Sequence, residues 1–182
     1  MNNKINELLK ISATMSIIIF VFLKEFQNIS SLSDSWDLLT QAVGYSAIIT
    51  CIYEKFLWKF NPFIKIPKLK KEYDGTLKYK YNGKSSEKNI KIFISQTLTT
   101  ISIIIKTDEI TSKSITSELM EENNQYVIYY TYITQPKSEV SDENPIQNGT
   151  AKLLIDDIHS FRGTYWTSRK TTGDLYFENQ NN

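Results

Sequence analysis

An abrupt change of period near residue 72 limits what this chain can fold into more than any other feature. Before it lie two apolar segments, residues 8–23 (LLKISATMSIIIFVFL) and 38–53 (LLTQAVGYSAIITCIY), neither with a charged face. After it, apolar and polar residues alternate: Leu77, Tyr79 and Tyr81, then Ile90, Ile92 and Ile94, then Ile101, Ile103 and Ile105, and later Ala151, Leu153 and Ile155. Long apolar runs suit helices that cross a bilayer, whereas a period of two suits strands with one face inward. The sequence therefore predicts a membrane α plus all-β fold. A transmembrane helical hairpin occupies residues 1–58, with spans over about 5–23 and 38–58, followed by a basic linker over 59–72. A small antiparallel barrel of about eight strands covers 73–178, and 179–182 form a tail.

Charge assigns the orientation. Residues 55–71 hold six lysines and no acid, and Lys4 and Lys10 flank the first segment, while the connection over 24–37 carries Lys24 against Glu25, Asp34 and Asp37. The positive-inside rule then places both termini and the barrel in the cytoplasm of a multi-pass inner-membrane protein. A cleaved signal peptide fits poorly, because the small-x-small site Ser31-Leu32-Ser33 lies well past the apolar run. Trp36, Tyr53 and Trp58 mark the segment ends, where amphipathic rings favour the lipid boundary. Thr40, Gly44, Ala47 and Cys51 form a stripe of small residues on the second segment, and Ser12 and Ser16 another on the first. Such stripes let helices approach closely, within one hairpin or between hairpins.

About eight strand-like runs follow, separated by polar turns such as Asn82-Gly83 and Asn123-Asn124, with a weak helical signal only at 117–122. Strands of this size and number close most economically into an up-and-down barrel. From Glu72 onward there are 12 basic and 15 acidic residues, which argues against DNA or RNA as a partner. A single cysteine, Cys51, and a single histidine, His159, leave no ordinary metal site or thiol chemistry. Nucleotide-binding and hydrolase motifs are missing, so no enzyme activity and no cofactor are expected.

Residues 161–177 (FRGTYWTSRKTTGDLYF) stand out. Arg162 and Arg169 are the only arginines beside 19 lysines, which suggests that the planar guanidinium fork matters there. Tyr165, Trp166 and several hydroxyls surround them. Arginine with hydroxyls suits phosphate oxygens, and aromatic faces suit nucleobases; a filled barrel with water-facing arginines is the plainer alternative.

The layout resembles the two-transmembrane, β-strand-rich effectors that accompany cyclic-nucleotide-making enzymes (CD-NTases) in the bacterial antiphage systems called CBASS. The residues carrying the likeness are Asp74-Gly75, Ile94-Ser95-Gln96-Thr97, Tyr130-Thr131-Tyr132 with Pro136, and Gly163-x-Tyr165-Trp166-Thr167-x-Arg169-x-x-Thr172-Gly173. The resemblance implies a cytosolic barrel that binds a cyclic dinucleotide as activating ligand. It also implies a functional link to a CD-NTase, self-association on activation, and disruption of the lipid bilayer that kills the infected cell. On that footing Arg169 grips phosphate, Tyr165 and Tyr132 stack on bases, and Thr167, Thr172 and Gln96 read base edges or phosphates. Two competing readings are a membrane-anchored, lipocalin-like barrel for an apolar ligand and a constitutive pore-forming toxin.

Overall fold

The computed structural model describes residues 2–27, 29–81 and 84–179. The chain divides into two compact units, Met1–Lys65 with Thr97–Thr99, and Ile66–Gln96 with Thr100–Asn182.

The first unit is a helical hairpin of α1 (Asn2–Phe26) and α2 (Leu32–Lys55), followed by a 3₁₀ turn at Leu57–Phe60. Ser31 starts α2 with a capping box. Its side chain accepts the Asp34 backbone N–H at 3.1 Å, and the Asp34 carboxylate accepts the Ser31 N–H at 2.8 Å. The helices meet along Leu38, Ala42 and Ser46, which are fully buried at four-residue steps. Ser46 and Ser16 join hydroxyl to hydroxyl across this seam at 2.6 Å. Of the small-residue stripes, Ser12 and Ser16 are half-buried, but Thr40, Gly44, Ala47 and Cys51 are exposed, outside the seam.

Two expectations for this unit change. Among the described residues only α1, over Lys4–Phe26, is long and apolar enough to cross a membrane by composition. Gln41, Tyr45 and the flanking Asp34, Asp37 and Glu54 dilute α2. The second helix also stops at Lys55, not at 58, and Trp58 in the 3₁₀ turn is fully buried, unlike Trp36, which is exposed as a lipid-boundary ring would be.

The second unit is a closed barrel of eight antiparallel strands in simple meander order. They are β1 (Glu72–Tyr81), β2 (Lys84–Gln96), β3 (Ile101–Lys106), β4 (Ile110–Glu122), β5 (Gln125–Pro136), β6 (Asn148–Ile155), β7 (Ser160–Thr167) and β8 (Thr172–Glu178), with a 3₁₀ turn at Ser138–Val140 between β5 and β6. Strand β8 pairs back onto β1 over Gly173–Glu178, so neither strand is left as an edge there. The expected turn at Asn82-Gly83 lies outside the described residues. At Asn123 and Asn124 both φ angles are positive, 49° and 63°, as a two-residue turn between twisted strands requires. Residues 117–122, with their weak helical signal, are strand, because they pair with β5 through Glu122↔Gln125. A bulge between Ser114 and Thr116 leaves Ile115 exposed. Near the bulge, the β3 backbone bonds to β4 side chains: Ser114 accepts from the Ile103 N–H at 3.0 Å, and Ser117 donates to the Ile101 carbonyl.

Inward residues fill one end of the barrel. Tyr73, Phe161 and Phe177 stack there with ring centroids 4.7 and 4.9 Å apart. The Tyr73 hydroxyl donates to the Ile158 carbonyl at 2.8 Å and accepts from the Lys70 N–H at 2.9 Å. The stretch expected as a linker enters this end, since Leu69 is buried in the barrel core.

Candidate functional site

At the other end the inward rows change character. On β5 the buried row runs Ile128, Tyr130, Tyr132, Thr134, and on β1 Leu77 is followed by Tyr79. Tyrosine and threonine cannot interlock as isoleucine and phenylalanine do, and a cavity of about 770 Å³ opens there. That size is typical of small-molecule sites, roughly 300–1,000 Å³.

Two of its aromatic walls are held by glycines across the ladder. Tyr132 pairs with Gly149 and Tyr165 with Gly173. A Cβ at Gly149 would lie 2.3 Å from the Tyr132 ring, and one at Gly173 would lie 2.7 Å from the Tyr165 ring. The outer part of each ring therefore sits close over bare backbone, in a position that a side chain opposite would not permit. Tyr73 at the filled end satisfies its hydroxyl. By contrast, the hydroxyls of Tyr130, Tyr132 and Tyr165 have no hydrogen-bond partner among the described residues. Burial pushes all three phenols up, Tyr165 to about 12, with smaller contributions from Tyr132 on Tyr130, Tyr165 on Tyr132, and Tyr79 on Tyr165. They remain neutral donors across the physiological range.

The mouth carries charge. Arg169 sits on the β7–β8 turn, where Lys170 has a φ of 60°. Its guanidinium donates to the Glu143 backbone carbonyl at 3.0 Å. Beside it the Thr167 and Thr171 hydroxyls share a hydrogen bond of 2.6 Å. Lys88 on β2 and Glu109 in the β3–β4 turn form an ion pair at 2.5 Å, and both line the cavity. The lining also holds the acids Glu109, Asp142 and Glu143, so the aromatic faces, phenols, hydroxyls and two cations suit a ligand that combines flat apolar rings with anionic groups set against those cations.

Of the residues singled out from sequence, Arg169, Tyr165, Thr167 and Tyr132 line this cavity. Arg169 lies on the turn, not on a strand. Thr172 pairs with Trp166 and lines a separate outer depression with it. The alternation of β8, with Leu175 and Phe177 buried, turns Thr172 outward and leaves Thr171 on the inward side, where it lines the cavity. Gln96 ends β2 at the filled end, about 20 Å along the strand from Ile90 at 3.3 Å per residue. There its amide donates to the Pro67 carbonyl at 2.9 Å and accepts from the Leu69 N–H at 3.0 Å, which clamps the incoming chain. Arg162 is outward and exposed, 3.5 Å from the Asp156 carboxylate. Sequence reasoning missed Tyr79, Lys88 and Tyr130. The alternation Tyr130-Thr131-Tyr132 already places both tyrosines on one face, and Lys88 continues the inward row of Ile94, Ile92 and Ile90; among 19 lysines that position did not stand out.

A domain family, Cap15, cyclic dinucleotide receptor domain, matches residues 64–179, which span all eight strands and the cavity. The chain belongs to this family. It is also 40% identical over 179 residues to CD-NTase-associated protein 15 of Staphylococcus schleiferi, covering 96% of this chain and 97% of that one. Both findings bear out the resemblance to the CBASS effectors. A redesigned β-barrel of known structure aligns with a TM-score of 0.45 at 11% identity, over 64% of this chain and 92% of its own.

Proposed function

We propose that the barrel binds a cyclic dinucleotide in the open cavity and that binding drives the chain to self-associate and breach the inner membrane of an infected cell. The observation that carries this reading is the pairing of the mouth's arginine with three phenols that have no partner among the described residues, two of them on glycine-seated rings, in a chain of the Cap15 family. A cyclic dinucleotide brings two phosphates and two bases, so it needs cationic donors and flat faces in one enclosure. In this reading Arg169 exchanges the Glu143 carbonyl for phosphate, the tyrosine rings stack on bases, and the phenols and the Thr167–Thr171 pair donate to the remaining oxygens.

The helical unit supports a membrane role. Ile17, Val21 and Phe22 on α1 and Val43, Ile48 and Ile52 on α2 are all exposed, and such outward apolar surface is stable in lipid, not in water. In this reading α2, although too dilute to count as a span by composition alone, returns through the bilayer beside α1 on the strength of that outward surface, with both termini cytoplasmic. Binding must favour the assembling state over the resting one, since equal affinity for both would shift nothing. Confinement to a membrane raises the effective concentration of the hairpins and lowers the affinity that assembly requires.

A lipocalin-like site for an apolar ligand predicts a cavity without cations, and Arg169 and Lys88 count against it. The test is titration of the full chain in detergent micelles with cyclic di-AMP, cyclic di-GMP, cyclic GMP–AMP and cyclic UMP–AMP. Arg169→Ala is expected to abolish binding and leave the melting temperature nearly unchanged, because the side chain is exposed and holds one backbone carbonyl. Equal binding by Arg169→Ala would refute the assignment. Toxicity on expression without any nucleotide synthase would favour a constitutive pore.

A further inference from the structure

Lys88 occupies an unusual place for a lysine. On β2 the side chains of Ile94, Ile92 and Ile90 are buried at alternate positions, and Lys88 is next in the same inward row. The β2–β3 ladder ends at Lys91↔Lys106, so Lys88 lies where β2 has left its neighbour. Its ammonium crosses that gap to Glu109, whose turn is fixed by the Thr107 hydroxyl accepting the Glu109 and Ile110 N–H groups at 3.2 and 2.9 Å. The Glu109 carbonyl is tied in turn by the Lys137 N–H at 2.8 Å. Both side chains of the pair are more than a third exposed, so the bridge adds little to stability. An inward cation at the wall of a cavity, held by an acid on a rigid turn, is poorly explained as a stabilising device.

We propose that Lys88 is the second phosphate-binding cation of the cavity and that Glu109 is its built-in competitor, occupying the ammonium until a ligand phosphate displaces it. This rests on the cyclic dinucleotide reading above and extends it. Arg169 and Lys88 stand on walls separated by β8 and β1, roughly 10–15 Å at about 4.8 Å per strand, so one ligand can present a phosphate to each. Arg169 is held by a neutral carbonyl and Lys88 by a full negative charge, which makes Lys88 the more selective contact: a ligand must carry enough charge to outbid a carboxylate.

The competition has a signature that a purely structural ion pair lacks. Lys88→Gln and Glu109→Gln both break the bridge, so a structural role predicts effects of the same sign. Competition predicts opposite signs. With the same four cyclic dinucleotides and the full chain in micelles, Lys88→Gln is expected to weaken binding about 10- to 100-fold. Glu109→Gln should tighten it severalfold, Lys88→Arg should retain most of it, and the double variant should behave like Lys88→Gln alone. Same-sign effects, or changes within twofold for both single variants, overturn the inference. If the parent chain binds one of the nucleotides and loses it on Arg169→Ala while the Lys88 and Glu109 variants are silent, only this inference fails. If the parent chain binds none, both readings fall.

Discussion

The two ends of the barrel are built from the same eight strands and differ in how their aromatic side chains are satisfied. At the filled end, Tyr73 packs edge-on against Phe161, Phe161 packs on Phe177, and the one phenol both donates and accepts within the chain. At the open end, Tyr130, Tyr132 and Tyr165 lie over a cavity, two of them on glycine, and their hydroxyls have no partner among the described residues. The difference teaches that a barrel can divide its length between stability and recognition. Closed rings and closed hydrogen bonds hold one half, and that half supports open ones in the other.

The strongest way to break this contrast is Phe161→Ala. It removes a ring that is almost fully buried between two others and should cost about 3–5 kcal/mol in denaturant unfolding. A cost below about 1 kcal/mol would mean that the filled end does not carry the fold. Gly149→Val at the open end should cost roughly 1–3 kcal/mol, because the cavity gives the displaced Tyr132 ring somewhere to go while the Trp166 carbonyl, 2.9 Å from a Cβ there, forces a small backbone shift. Its larger effect should be on nucleotide affinity, measured by calorimetry, since the stacking surface moves. The mildest change is the pair Tyr132→Phe with Tyr165→Phe. Removing hydroxyls that have no partner among the described residues should alter stability by no more than about 0.5 kcal/mol at neutral pH, while weakening ligand binding. The same variant sharpens the comparison at alkaline pH. Burial favours the protonated phenols in the fold, so that contribution is intact below the ordinary phenol value of 10.0 and fades as pH rises towards the raised Tyr165 value of about 12. The double Phe variant should therefore unfold at higher pH than the parent chain.

Strand number, meander order and the division into helical and β parts were legible in the sequence because period and turn chemistry are local. Isoleucines at every second position can bury themselves only as strands, and Asn123-Asn124 can reverse the chain within two residues. Composition singled out Arg162 and Arg169 alike and the resemblance chose Arg169 with Tyr165; the structure brings those two to one cavity and leaves Arg162 outside. What remained illegible depends on which end of a strand a residue occupies. Gln96 and Lys88 belong to the same strand, yet one clamps the entering chain and the other faces the cavity. Thr171 and Thr172 are neighbours, and the side on which β8 buries Leu175 and Phe177 decided which of them faces inward.

By itself, then, the sequence determined the alternation of inward and outward side chains and the separation of an apolar hairpin from a polar barrel, because both follow from properties of short segments. Only the tertiary structure decided which inward residues meet. The β5–β6 and β7–β8 ladders lay Tyr132 over Gly149 and Tyr165 over Gly173, and closing β8 onto β1 brings Arg169 and Lys88, far apart in the chain, to the wall of one cavity.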